Sequence, residues 1–313
     1  MQKILVTGST GFLGSEVVTQ LKEKSIIPAE TSLSLGVDLL HLDEVRDLFQ
    51  SVRPTSIINC AAFVGGIQYG YKYPVELYEK NTIMNINLQQ CAREFRVDKI
   101  VNPIPNCIYP AEASFFREKE IWDGPMHESV QAYGFAKKGI WMNAWAGHKE
   151  YGLRSANLVL PNLYGPRDHF EAERSHALGA LIMKFVEAKR EARPSVTVWG
   201  SGTPQREWMH VKDAAKALIA SIDVDCGVDM INIGVGESIS VMDMALLIKE
   251  LVGYQGEIVL DRSKPDGAPH KCMVADQGPK LLDWKASVDF RTGVDQTIQW
   301  YKTTHPHPQE VVV

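Results

Sequence analysis

The chain has no excess of positive charge, no long hydrophobic run and no paired-cysteine motif. Its 33 Lys and Arg are outnumbered by 38 Asp and Glu, for a formal net charge of −5 and a pI near 6.0. Neutralising a phosphate backbone needs a basic surface, so this balance excludes a mainly electrostatic nucleic-acid binder. No stretch approaches the roughly 18 consecutive apolar residues of a membrane span, so no membrane partner is expected. Met1-Gln2-Lys3-Ile4-Leu5-Val6 lacks the apolar run of a signal peptide and reads as a first strand. The five cysteines, Cys60, Cys91, Cys107, Cys226 and Cys272, stand far apart without a CxxC pair. Neither a disulfide framework nor a metal site is expected, and the expected compartment is a reducing cytoplasm. Repeats and low-complexity linkers are also missing. What remains is a globular composition, 45% hydrophobic with 9% aromatics. A chain of 313 residues buries roughly three quarters of its unfolded surface and needs no staples.

The first thirty residues carry a functional pattern. Lys3 to Thr7 reads as a short buried strand, followed by Gly8-Ser9-Thr10-Gly11-Phe12-Leu13-Gly14. Val17, Val18 and Leu21 then repeat at helical spacing, and Lys22-Glu23-Lys24 closes the segment. Strand, glycine-rich turn and helix in that order form a dinucleotide cradle. The glycines permit a tight turn and close approach to a pyrophosphate, and the helix N-terminus faces that anion with free N–H groups. Gly8, Thr10, Gly11, Phe12, Leu13 and Gly14 are the candidate contacts. The next strand should end in an acid for the adenosine ribose or a base for a 2′-phosphate. Ile26 to Leu35 has only Glu30 and no Arg or Lys, so NAD and NADP both remain open. Asp38 either accepts from the adenine amino group or is a solvated turn residue.

Further along, Thr55 to Ala62 reads as a buried strand, Tyr78 to Phe95 as a helix and Lys99 to Asn102 as the start of a strand. Tyr133 to Tyr151 looks helical and Ser155 to Leu160 strand-like. This alternation predicts an α/β fold with a doubly wound parallel sheet. After Pro161 the pattern loosens around one helix, His176 to Lys189, and one short strand, Val196 to Trp199. Lys212 to Ile222 and Val241 to Leu251 read as helices, and Thr303 to Val313 as a frayed end.

Tyr133-Gly134-Phe135-Ala136-Lys137 sets Tyr and Lys four apart on one helix face. An unperturbed phenol titrates near pH 10, and a neighbouring ammonium lowers that value, so the pair reads as a tuned acid/base. With the glycine turn, this pair resembles the extended short-chain dehydrogenase/reductase superfamily, and within it the GDP-L-fucose synthases. The resemblance runs along nearly the whole chain. It includes Ala61-Ala62-Phe63-Val64-Gly65-Gly66-Ile67, Asn81, Cys107-Ile108-Tyr109-Pro110, Asn162-Leu163-Tyr164-Gly165-Pro166 and Ser175-His176. It continues through Val198-Trp199-Gly200-Ser201-Gly202-Thr203-Pro204, Arg206-Glu207 and Lys264-Pro265-Asp266-Gly267.

The resemblance implies a Rossmann domain over 1–164, with 207–240 returning to it. It implies a smaller substrate domain from 165–206 and 241–302, and a flexible tail over 303–313. It implies a nucleotide-sugar epimerase/reductase that works on a 4-keto sugar with NADP or NAD, as a homodimer. Tyr133 would protonate the C4 alkoxide, with Lys137 tuning it and binding the cofactor ribose. Cys107 and His176 would move protons at the carbons flanking the ketone, which the carbonyl acidifies. Asn162, Trp199, Arg206 and Lys264 would hold the nucleotide-sugar, Lys184 would stand in for a pyrophosphate-binding Arg, and Ala61 would line the cofactor site. The remaining cysteines read as structural, and Arg206 beside Glu207 could be a surface ion pair.

Two departures stand out. Where the family has a Ser or Thr two residues before the cysteine, this chain has Pro105, which offers neither hydroxyl nor N–H. Asn106 is the nearest replacement donor, and losing one such donor costs about 100- to 1,000-fold in rate. The family's NADPH-reading arginines fall here on Thr10 and residues near Ser32, none of them basic. Two rival readings follow: an epimerase or 4-ketoreductase alone with a tightly held dinucleotide, and a non-catalytic dinucleotide-sensing scaffold.

Overall fold

The computed structural model describes residues 2–65, 67–171, 175–264 and 266–306. Gly66, Pro265 and residues 307–313 of the stretches named above lie outside the described residues. The first half runs β1 (Ile4–Thr7), α1 (Phe12–Glu23), β2 (Ala29–Thr31), α2 (Leu42–Val52), β3 (Ser56–Asn59), α3 (Ile67–Lys72), α4 (Pro74–Glu94) and β4 (Lys99–Pro105). Then come β5 (Phe115–Phe116), α5 (Gln131–Tyr151), β6 (Arg154–Leu160), β7 (Asn162–Tyr164), α6 (Ala177–Arg190), β8 (Ser195–Trp199) and β9 (Gln205–His210). The chain continues with α7 (Val211–Ala220), β10 (Met230–Asn232), β11 (Ser238–Ser240), α8 (Val241–Val252) and β12 (Glu257–Asp261). It closes with β13 (His270–Met273), α9 (Gly278–Leu281) and α10 (Phe290–Thr304).

Six strands make one parallel sheet in the order β10-β6-β4-β3-β1-β2. Burial on both faces explains why these strands read as continuous apolar runs. One face packs on α1 and α7 through Val17, Leu21, Ala214 and Leu218. The other packs on α2 and α4 through Val45, Phe49, Leu88 and Ala92. This is the expected doubly wound architecture. The strand order reverses between β1 and β3, and the crevice beyond their carboxyl ends is where such sheets take ligands.

A second layer holds the sheet β11-β9-β13-β5, with β7 also paired to β9, and the two-stranded β12-β8. Its core gathers Phe185, Val198, Met244, Ile248 and Ile298 from α6, β8, α8 and α10. Its short strands lack a sequence periodicity long enough to read, so only β8 was expected among them.

Several boundaries differ from the sequence reading. β3 stops at Asn59 because the chain turns back there, with Ala61 N–H donating to Thr7 Oγ1 at 3.2 Å. β4 runs on through two prolines to Pro105. The stretch Ile26 to Leu35 gives only three strand residues, then a tight turn over Leu33–Leu35. Thr303 and Thr304 belong to α10 instead of a frayed end, and the His305 ring stacks on Tyr301 with centroids 4.4 Å apart.

Candidate active site

The glycine turn is built as the cradle argument requires. Gly8 has φ +61, and a Cβ there would lie 2.8 Å from Ala61 N and from the Cys60 carbonyl. A Cβ on Gly14 would sit 2.1 Å from Gly8 O. Gly11 N–H closes the turn onto Gly8 O at 3.0 Å, and Gly11 is the N-cap residue of α1. No side chain caps α1 and no acid occupies its first turn, so its leading N–H groups stay available to an anion. These residues fit a dinucleotide pyrophosphate. Ala61 lies across the turn as described. Asp38 is occupied locally, one oxygen accepting from Leu40 N–H at 2.9 Å and the other 3.9 Å from His41 Nδ1.

The chemical group sits one strand over. β4 delivers Pro105, Asn106 and Cys107 at its carboxyl end. The first turn of α5 lies against them because residue 134 is glycine: a Cβ there would meet Cys107 O at 3.3 Å and Met126 Sδ at 2.6 Å. Tyr133 and Lys137 therefore face the cysteine, with Lys137 Nζ 5.4 Å from the Tyr133 ring centroid. Tyr133 and Cys107 keep some contact with water although protein surrounds them, as expected of groups deep in a cleft. Burial pushes the Cys107 thiol up to about 12, opposed first by Lys271 and then by Lys137. Burial brings Lys137 down to about 8, with Cys107 and Cys60 pulling the other way.

The Tyr133 phenol is pushed up, by burial first and by Cys107 second. This corrects the expectation that Lys137 lowers it, because desolvation dominates here. The Asn106 side-chain amide makes no hydrogen bond among the described residues, so both of its N–H donors are unspent.

Across the cleft, the cationic residues form two groups. At the first, Trp199 is 57% exposed, with Lys184 Nζ 5.2 Å and Lys264 Nζ 5.5 Å from its ring. Lys184 also donates to Thr197 O at 3.0 Å. The second pairs Arg206 with Lys271, opposite each other in the β9–β13 register. Burial lowers both, and for Lys271 the Arg206 charge adds to it while Cys107 pulls back. Lys271 thus stands between Arg206 and the cysteine. Of the residues expected to hold the nucleotide-sugar, Lys264 and Lys184 thus stand with Trp199.

Lys271 was not singled out in the sequence. A lone lysine in His-Lys-Cys has no local signal, and only the pairing of β13 with β9 brings it to the site. Glu207 is not in a surface ion pair either. It is 1% exposed and accepts from the N–H groups of Val235 (2.5 Å), Gly236 (3.1 Å) and Met273 (2.5 Å). It thereby fixes the strand that carries Arg206. Asn162 Nδ2 donates to Glu207 O at 3.0 Å and so ties β7 to β9.

His176 is the N-cap of α6, solvent-exposed yet with much protein around it. That surrounding mass lowers its pKa, and His169 adds to the effect. Among the described residues no hydrogen bond joins it to the Tyr133–Cys107–Lys137 group.

The NAD dependent epimerase/dehydratase family model matches residues 4–234. GDP-L-fucose synthase 1 of Arabidopsis thaliana is 34% identical over 302 residues, spanning 96% of this chain and 93% of that protein. The NADP-bound crystal structure of a GDP-L-fucose synthetase from Naegleria fowleri superposes with a TM-score of 0.88 at 29% identity, covering 97% of this chain and 93% of that one. A GDP-6-OMe-4-keto-L-xylo-heptose reductase from C. jejuni gives a TM-score of 0.88 at 25% identity, covering 97% and 98%.

Proposed function

The chain belongs to the NAD-dependent epimerase/dehydratase family, and from that premise we propose that it is a nucleotide-sugar epimerase/reductase acting on a GDP-linked or related 4-keto sugar. One observation carries the reading. Cys107, Tyr133 and Lys137 share the carboxyl end of the sheet with the glycine turn, and the cation Lys271 acts on the cysteine with Arg206 beside it on the neighbouring strand. A diphosphate-linked sugar supplies the anion those cations lack.

A 4-keto group acidifies the protons on C3 and C5, because the carbanion left behind is stabilised through the carbonyl. Cys107, as thiolate, takes such a proton. Its raised pKa makes the thiolate scarce but strongly basic, and Lys271 and Lys137 favour its formation. His176 returns the proton; its lowered pKa makes the imidazolium scarce near neutral pH but a stronger donor where it forms. Tyr133 gives its proton to the C4 oxygen as reduction proceeds, with Lys137 beside its ring. A bound nicotinamide supplies the hydride. Asn106 donates to the carbonyl oxygen in place of the missing serine, a role its unspent side-chain N–H groups support.

Residues 1–164 with 207–240 hold the dinucleotide and 165–206 with 241–302 cover the sugar nucleotide, while β5, β7, β11 and most of β9, inside the first of these ranges, pair in the second layer's sheet. The protein works in the cytoplasm, a compartment in which its five free thiols are at home. Among the described residues no helix is long and apolar enough to cross a membrane. It is a homodimer through α4 and α5, whose outer faces leave Tyr78, Ile86, Phe135, Met142 and Trp145 exposed.

The test uses a GDP-4-keto-6-deoxy sugar in heavy water, following deuterium incorporation beside loss of reduced nicotinamide absorbance. Both are expected in the native enzyme. Cys107→Ala removes chiefly exchange and Tyr133→Phe chiefly reduction. Rapid reduction with no exchange would reduce the activity to a 4-ketoreductase and overturn the roles given to Cys107 and His176.

A further inference from the structure

At the outer end of the glycine turn, three hydroxyls meet. Thr10 Oγ1 lies 3.0 Å from Ser32 Oγ and 2.8 Å from Ser34 Oγ, and the two serines are 3.0 Å apart. Local folding enforces this triangle. Ser9 N–H donates to Thr31 O at 3.1 Å and pins the turn to the end of β2. Ser32 O then accepts from Leu35 N–H at 3.0 Å, and Gly36 at φ +87 closes the tight turn, bringing Ser32 and Ser34 back to Thr10. Among the described residues no charged side chain bonds to the triangle. Glu30, the one acid on β2, is directed at Lys22 at 2.7 Å. Leu33 and Leu35, 73% and 53% exposed, leave two large apolar side chains in water beside it.

We propose that the Thr10–Ser32–Ser34 triangle reads the 2′ position of the cofactor's adenosine ribose, and that it admits a hydroxyl or a phosphate there with similar affinity. The inference rests on the dinucleotide site proposed above and names the residues that set its specificity. The ribose next to a pyrophosphate held on α1 is expected at the end of β2, which is where the triangle stands. A carboxylate there would accept from a ribose hydroxyl and repel a phosphate, whereas a guanidinium would hold a phosphate bidentately. A hydroxyl neither repels a phosphate nor holds it bidentately. Each is one donor and two acceptor lone pairs on a free rotor. In the free protein the three satisfy one another, and on binding they turn outward to donate to phosphate oxygens or to accept from a ribose hydroxyl. The exposed leucines supply an apolar wall for the adenine ring.

The experiment is a fluorescence titration of the full-length protein with NADH and with NADPH. The native dissociation constants are expected within about tenfold of each other. Ser34→Asp should weaken NADPH by about tenfold or more while moving NADH less than about threefold, since like charge penalises only the phosphate. Thr10→Arg should favour NADPH by about tenfold or more, and that gain should shrink in salt. Retained binding with an unchanged NADH/NADPH ratio in both variants would overturn the proposal, as would a native preference beyond about a hundredfold. Absence of binding of either nucleotide to the native protein would instead overturn the dinucleotide site itself.

Discussion

Lys137 is 4% exposed, and among the described residues the groups opposing its loss of charge are the thiols of Cys107 and Cys60. Its ammonium is therefore a cost to the unliganded fold, and the sign follows from proton linkage. Its folded pKa of about 8 lies below the usual lysine value of 10.5. Between those values the unfolded chain binds more protons, so this residue's penalty is full below about pH 8 and vanishes above about pH 10.5. Lys137→Met is expected to raise the melting temperature of the unliganded protein by about 2 °C or more at pH 7. The advantage should disappear by about pH 10.5, and an equal advantage at both pH values would show that packing and not charge is responsible. The neighbouring thiol gives the companion prediction. Lys271 is the foremost group favouring the Cys107 thiolate, so Lys271→Met should slow alkylation of Cys107 by iodoacetamide about threefold or more at pH 9. Mass spectrometry of the labelled peptide reads this directly, and an unchanged rate would remove Lys271 from the cysteine's surroundings.

β4 shows how one element joins the cofactor end to the chemical end. Thr7, Asn59, Asn102 and Asn157 face one another across β1, β3, β4 and β6. Thr7 Oγ1 donates to Asn59 Oδ1 at 2.8 Å, and Asn102 Nδ2 donates to Asn157 Oδ1 at 3.0 Å. A longer contact of 3.5 Å joins Asn59 to Asn102. All four are buried, so this polar line holds the strand ends in register below the active site. Asn102→Leu strands partners on both sides, and about 2 kcal/mol or more of lost stability is expected in denaturant melts. Beyond Asn102 come Pro103 and Pro105, unusual in an interior strand. They share one parity, and the register with β6 runs through both to Pro105 opposite Leu160. Their missing N–H groups therefore point to the other side, where β3 has already ended at Asn59. Pro105→Ser should for that reason fold normally, return a hydroxyl beside Tyr133 and raise the hydride rate about tenfold or more, read in single-turnover absorbance. An unchanged rate would mean that Asn106 already fills the role. The glycine turn and the long alternating elements were legible because period and turn chemistry are local. The β9–β13 pairing, the burial of Glu207 and the approach of Lys271 were not, since each depends on residues about 28 to 66 positions apart meeting in short strands with little pattern of their own.

At the scale of the whole molecule, the two layers divide the work. The parallel sheet offers the cradle and the Tyr133–Cys107–Lys137 group, and the second layer brings Lys271 toward it with Arg206 alongside. Neither layer alone encloses a sugar nucleotide, so relative placement of the two matters as much as any side chain. α4 and α5 pack on each other, and Tyr78 and Phe135 form a ring pair across them at 6.4 Å. On α5, Phe135, Met142 and Trp145 recur at helical spacing on the side turned to water, 57%, 50% and 40% exposed. Gly139, on the same stripe, has open space where a Cβ would be. A self-complementary apolar face on two parallel, neighbouring helices suits a two-fold partner of the same kind, because each residue then meets its counterpart or a neighbour of it. A homodimer built this way buries the outer sides of α4 and α5 and leaves the cleft between the layers open. Placing like charges on that face, with Ile86→Glu and Trp145→Glu together, should therefore shift sedimentation from a dimer to a monomer. Nucleotide binding should stay within about threefold, since neither residue borders the glycine turn. A dimer that survives both charges would place the two-fold contact elsewhere on the surface, and a monomer that no longer binds nucleotide would show that this pair of helices also holds the cleft in shape.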